Sequence, residues 1–296
     1  MAIQPPKINL DPDLARRLND GMTSGETLDL PFPVIYVWAM NGQPSYKSQG
    51  GALYYGGWAC KADDLDALKE SGAGISDPAG WKRTTSASRE GDEFEIYGPR
   101  HVIVAPIGKR QSWLLDGRRH GEYIDGARRH VQALCYMAER IEEGKIVHYL
   151  PWGPVVLTAK GYQARHLLDA FTKWDKATAG LRRQIAPGVP AWCFYLALGT
   201  FGKERAAVNV GKPGAQSPIT PITAWIPDGI NETILAQLFV GQAVAEKMAD
   251  LQDQASEWLA AWQPGALEQS SESEVYGNGQ PPAPDNWGSG DEDIPF

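Results

Sequence analysis

Apolar residues along the chain fall into two periods, and the change from one to the other divides it into elements. Residues 34–40 (VIYVWAM) and 51–60 (GALYYGGWAC) are rich in β-branched and aromatic residues and predict strands. The stretch EFEIYGPRHVIVAPIGKRQSWLL predicts two or three short strands, broken at Gly98–Pro99 and Gly108. Helical spacing follows in DGARRHVQALCYMAERI, where Val131, Leu134, Cys135, Ala138 and Ile141 share one face and Asp125 is the candidate cap. KIVHYL and GPVVLTAK then read as two strands around Pro151–Gly153, and a helix carries Leu167, Leu168, Phe171 and Trp174 inward. PAWCFYLALGTFG and RAAVNVG suggest a hairpin about Lys203–Glu204, with ITPITAWIP as a closing strand.

From Asn231, a candidate cap, to Pro264 the pattern predicts one long helix. Val244, Met248, Leu251, Ala255, Trp258 and Trp262 form a heptad-like seam along it, suited either to packing on the body or to self-association as a homo-oligomer. Beyond Pro264, Gly, Pro, Ser, Asn and Gln dominate, so the segment lacks the apolar surface to offset its chain entropy and is expected to be disordered. The expected organisation is an N-terminal extension (1–30), a body (31–228), a helix (229–263) and a tail (264–296). Strands interrupted by helices without βαβ regularity favour a mixed β/α fold, a small Greek-key barrel with inserted helices, over a doubly wound sheet.

Charge alters this picture at one end. The net charge is −8, but the residues from Pro264 onward hold seven acids and no Lys or Arg, so the body is nearly neutral. Cys60, Cys135 and Cys193 are few, odd in number and widely spaced, which suits a reducing cytoplasm. No apolar run has the length of a membrane span, and MAIQPPKINL lacks the form of a signal peptide. The chain has no CxxC, HExxH or GxSxG, and its Gly211–Lys212 pair is followed by Pro213 where a phosphate loop needs Ser or Thr. Asp63, Asp64 and Asp66 are expected at a helix N-terminus, where acids complement the macrodipole, and not around a metal. No metal, cofactor or enzymatic chemistry is expected.

Between Arg100 and Arg140 there are eight basic and four acidic residues, against the acidic whole. Arg100, Lys109, Arg110, Arg118, Arg119, Arg128 and Arg129 interleave there with Trp113 and Tyr123, the cations and flat rings that single-strand binding needs. Arg128 and Arg129 would sit in a first helical turn, opposing the macrodipole unless an anion bound there. Lys160 and Arg165, and separately Lys203 and Arg205, are further candidates for contacts to a strand. Tyr36, Trp38, Tyr54, Tyr55, Trp58, Trp81, Trp192 and Tyr195 supply other rings, divided in an unknown way between core and ligand.

The chain closes on GSGDEDIPF. Asp-Ile-Pro-Phe at a chain end arises by chance on the order of 10⁻⁵ from average residue usage. The segment Asp291, Glu292, Asp293, Ile294, Pro295 and Phe296 resembles the acidic tip of bacterial single-stranded DNA-binding proteins, with Glu292 in place of one Asp. That resemblance covers about a tenth of the chain. It implies an OB-like barrel that binds single-stranded DNA, and a tip that docks host replication, recombination and repair proteins. Phe296 would fill an apolar pocket while the acids steer toward a basic rim. In architecture the body resembles the larger, divergent single-strand binders of phages or mobile elements, which implies the cytoplasm of a bacterial host cell and association with its nucleoid. A strand-annealing factor, and an adaptor that mimics the tip without binding DNA, remain as alternatives.

Overall fold

The computed structural model describes residues 11, 30–41, 56–70, 81–87, 93–115, 118–143, 146–201, 208–212, 215–260 and 267–269. In chain order the elements begin with β1 (Ile35–Asn41), β2 (Gly56–Lys61), α1 (Ala62–Glu70), β3 (Lys82–Ala87) and β4 (Glu93–Gly98). Next come β5 (His101–Leu115), β6 (Arg118–His120), β7 (Arg128–Glu143), β8 (Ile146–Lys160) and α2 (Gly161–Ile185). The last are β9 (Leu196–Gly199), β10 (Val208–Lys212), β11 (Ala215–Ile219), β12 (Thr223–Trp225), α3 (Glu232–Gln237), α4 (Gln242–Gln254), α5 (Ser256–Ala260) and β13 (Leu267–Gln269).

One sheet runs β12–β9–β5–β7–β8–β1–β2–β4–β3, with β6 beside β5 and β13 beside β6, while β10 and β11 form a separate ribbon. The β1–β8 pair is parallel, and the other pairs are antiparallel. The sheet does not lie flat: eight strands curl into a half-barrel. β2 and β9 are five places apart in strand order, yet the Trp58 indole N–H on β2 donates to the Leu198 carbonyl on β9 at 2.8 Å. Gly57 and Gly199 let the two strands close on the Pro99–His101 backbone between them. A Cβ on Gly57 would stand 2.4 Å from the Pro99 carbonyl oxygen, and one on Gly199 would stand 2.2 Å from that of Arg100.

The largest departure from the sequence expectation is β7. Its residues were expected to form a helix from Asp125, but they make a 16-residue strand between β5 and β8. Every residue from Val131 to Ala138 is buried. A strand covered on both faces carries a continuous apolar run, which contains helical spacing as well as alternation, so periodicity cannot separate the two. With no helix there, Arg128 and Arg129 face no macrodipole, and that argument for a bound anion falls.

Two expected breaks are bulges instead. β8 continues through Pro151–Gly153 because the β7 register shifts between Met137 and Ala138, and β5 passes Gly108 with a shift after Pro106. β9 pairs with β5 and β12, not with the RAAVNVG strand, whose β10 pairs with β11. Lys203 and Glu204, the expected turn, lie outside the described residues.

The C-terminal helix is three helices. The Asn231 side chain does cap the first, accepting from the Ile234 N–H at 3.0 Å. The chain then leaves the helix at Phe239, which bridges Phe194, and restarts after Gly241 at φ 84°. Ala255 interrupts it again. Val244, Met248, Ala255 and Trp258 of the predicted seam are buried, and α4 and α5 pack on β5. The segment expected to be disordered from Pro264 contains β13 at 267–269, paired with β6. The rest of it, from 270, lies outside the described residues. α1 carries Asp63 and Asp64 in its first turn, and α2 buries Leu167, Phe171 and Trp174. Among the described residues no helix is long and apolar enough to cross a membrane.

Candidate nucleic-acid interface

The antiparallel register gathers one group of expected residues at one end of the β5–β7–β8 hairpins. Trp113 stands opposite Arg129 on β7 and His120 on β6, and Leu114 stands opposite Arg128 and Arg119. Residues directly opposite in such a pair project to the same face, so Arg129 shares the Trp113 face while Arg128 shares that of Leu114. The geometry agrees: the Arg129 guanidinium is 5.2 Å from the Trp113 ring centroid. Tyr123, in the loop before β7, meets the same ring edge-on at 4.8 Å and is 60% exposed. The Tyr123 hydroxyl donates to the Asp125 carboxylate at 3.4 Å, and a turn through Gly126 at φ 80° carries the chain on into β7.

Cations continue around this end. Arg118 is opposite Leu115 in register, and Lys160, which is half-buried, is one strand over and opposite His130. Arg165 follows on the first turns of α2, exposed and 3.8 Å from Asp169. β13 closes the far side of β6, with Glu268 opposite Arg119 and Gln269 opposite Arg118. An acid from the tail segment therefore sits in register with one of the arginines expected to contact a strand.

Arg110 is not part of this surface. It is 5% exposed, its Nε and Nη2 donate to Gln132 Oε1 at 2.9 and 2.8 Å, and its Nη1 donates to the Trp258 carbonyl at 3.0 Å. Its guanidinium lies 3.7 Å from the Trp258 ring centroid. Strand alternation sends Lys109 to water and Arg110 beneath α5, so two adjacent cations have unrelated roles. Lys109 is exposed, 6.0 Å from the Trp192 ring, and Arg100 is exposed at the opposite end of β5. Trp58, a candidate stacking ring, is fully buried and belongs to the core. Lys203, Arg205 and the tip Asp291, Glu292, Asp293, Ile294, Pro295 and Phe296 lie outside the described residues.

A second aromatic group was not anticipated as a site. Trp225, Ala197, Ile103 and Ala138 stand opposite one another across β12, β9, β5 and β7, and the next pair on that face is Arg140 with Tyr149 of β8. All of these but Ala138, with Trp174 from α2, line a pocket of about 320 Å³ that also touches His101, Tyr195 and Phe201. Tyr149 and Tyr195 contact ring to ring at 5.5 Å. Arg140 pairs with Glu142 at the rim. His101 is exposed at the pocket mouth, and partial desolvation there lowers its pKa, helped by Arg100 and Arg140. Burial raises the Tyr149 pKa, with Arg140 opposing, and raises that of Tyr195 far more. Both phenols stay protonated.

The Trp174 indole N–H and the Tyr195 hydroxyl are buried without a hydrogen-bond partner. Each such group costs about 1–3 kcal/mol relative to a paired one. The site draws on six elements and the loops beside them, so no local window of sequence announces it. Tyr195 was visible as a stacking candidate and Arg140 as one of a basic run, but nothing in the sequence joined them. Among the described residues no group of three or more His, Cys, Asp and Glu could hold a metal ion. No protein-family model, curated protein or solved structure matches this chain.

Proposed function

We propose that the chain is a single-stranded DNA-binding protein whose half-barrel is an OB-like fold and whose tail recruits host replication, recombination and repair proteins. One observation carries the binding part: an accessible Trp113–Tyr123 pair with the Arg129 guanidinium over the tryptophan, at the sheet end that also holds Arg118, Arg119, Arg128 and Lys160. Flat rings accept any base by stacking, and the surrounding cations track the phosphates, so the contact is tolerant of sequence. The recruiting part rests on the sequence of Asp291–Phe296 and its resemblance to the bacterial tip.

The test is fluorescence anisotropy of labelled oligo-dT with full-length protein and with Trp113→Ala. Loss of one stacking ring is expected to weaken binding by about 1–3 kcal/mol, roughly 5- to 150-fold. Equal affinity in the variant would remove the observation on which the reading stands. Annealing of complementary strands would favour the recombination factor, and absence of any oligonucleotide binding would favour the adaptor.

A further inference from the structure

The pocket at the other end of β5 is separated from Trp113 by roughly 40 Å of strand, too far for the two groups to be one contact. Its chemistry is specific. Its walls are rings, its rim carries the half-exposed Arg140, whose exposed partner Glu142 a phosphate would displace, and among the described residues no carboxylate lines the pocket itself. Its two buried polar atoms without partners are a donor, Trp174 Nε1, and a hydroxyl that can donate or accept, on Tyr195. A flat ligand with acceptor atoms and one anionic group meets every feature of this set. At about 320 Å³ the pocket is at the small end of ligand sites, which run roughly from 300 to 1,000 Å³. That size suits one such unit and not two.

We propose that this pocket captures a single unstacked nucleotide, with its base against the Tyr149, Tyr195 and Trp225 rings and its phosphate at Arg140. The assignment of that nucleotide to a bound strand rests on the single-strand reading above; the pocket's preference for a nucleotide does not. In a protein that holds a strand at Trp113, a pocket for one nucleotide at the far end would fix the register or the end of the strand. Ring walls of this kind also suit a quaternary ammonium group, but the cation at the rim disfavours one.

The experiment is calorimetric titration of the full-length protein with dAMP, orthophosphate and choline, repeated on Trp225→Ala and Arg140→Gln. Trp225 is 48% exposed and the Arg140 side chain 44%, so neither substitution empties the core. Saturable dAMP binding is expected with a Kd of about 1 mM or tighter, weakened about tenfold or more in each variant, with orthophosphate and choline silent over the same range. No dAMP binding up to about 10 mM, equal affinity in Trp225→Ala, orthophosphate binding as tightly as dAMP, or choline binding in its place would each overturn the proposal. The oligo-dT titration keeps the two readings apart. A protein that binds oligo-dT through Trp113 but not dAMP refutes the pocket alone, and one that binds dAMP but not oligo-dT refutes the single-strand reading alone.

Discussion

Replacing Arg110 by alanine distinguishes a structural arginine from a DNA-binding one. The guanidinium supplies two hydrogen bonds to Gln132 Oε1, one to the Trp258 carbonyl, and a stacking contact at 3.7 Å from the Trp258 ring. Alanine withdraws these donors from two acceptors, at about 1–3 kcal/mol each, and removes a desolvated cation–π contact of about 2 kcal/mol. Relief of the buried charge offsets part of this. The net loss is about 3–5 kcal/mol, the unpaired acceptors and the lost cation–π contact less that relief. Because Trp258 lies on α5, the loss falls on the docking of the C-terminal helices against β5. Urea unfolding should show a lower midpoint with an unchanged m-value. Arg110→Lys should recover only part, because an ammonium has no planar fork. The folded variant should bind oligo-dT as the parent does. A loss below about 1 kcal/mol, typical of an exposed pair, or weakened oligo-dT binding at unchanged stability, would refute the placement of this residue.

Other outcomes follow from the same geometry. Partial desolvation lowers the His101 pKa in the folded chain, so the unfolded chain takes up the proton first, and the stability tied to His101 is complete above the unfolded value of about 6.5 and falls as pH drops below it. His101→Gln should flatten the decline of the unfolding midpoint between about pH 7 and 5, and an unchanged profile would contradict the assignment. Truncation after Gln263 removes β13 and takes Glu268 away from Arg119, so oligo-dT affinity should be equal or higher at low salt, with the gain screened away at high salt. Lower affinity in the truncated protein would mean that the tail belongs to the DNA site. Deleting Phe296 alone should abolish docking of the host partner and leave oligo-dT binding intact, as pull-down and anisotropy would show.

Elements with one dominant signal were legible in the sequence. β1, β2, α1 and α2 lie where β-rich composition, acidic first-turn residues and a spaced apolar face predicted them. β7 was not legible, because a strand buried on both faces presents the same unbroken apolar run as a buried helix, and only its pairing with β5 and β8 decides. The C-terminal helix hid its break for a related reason. Phe239 continues the apolar pattern but leaves the helix to pair with Phe194, a contact about 45 residues away in sequence. The Trp113–Tyr123–Arg129 cluster was legible as a window of basic and aromatic residues, although its physical basis is a strand register and not a helix terminus. Arg110 looked equivalent to Lys109 because composition carries no parity; the alternation of β5 separates them. The aromatic pocket brings together residues from His101 to Leu238 through sheet topology alone. The acidic tip is the reverse case, a feature the sequence states and the described residues do not reach.

The central claim is that this protein holds single-stranded DNA through rings and cations at the Trp113 end of the sheet. Its most direct test is the affinity of full-length protein for oligo-dT as a function of salt, measured alongside Arg129→Gln. The expected log–log slope is about −0.7 per neutralised phosphate, with Arg129→Gln lowering its magnitude by about 0.7. Binding that ignores salt, no binding to oligo-dT at low salt, or a slope unchanged in Arg129→Gln would contradict it.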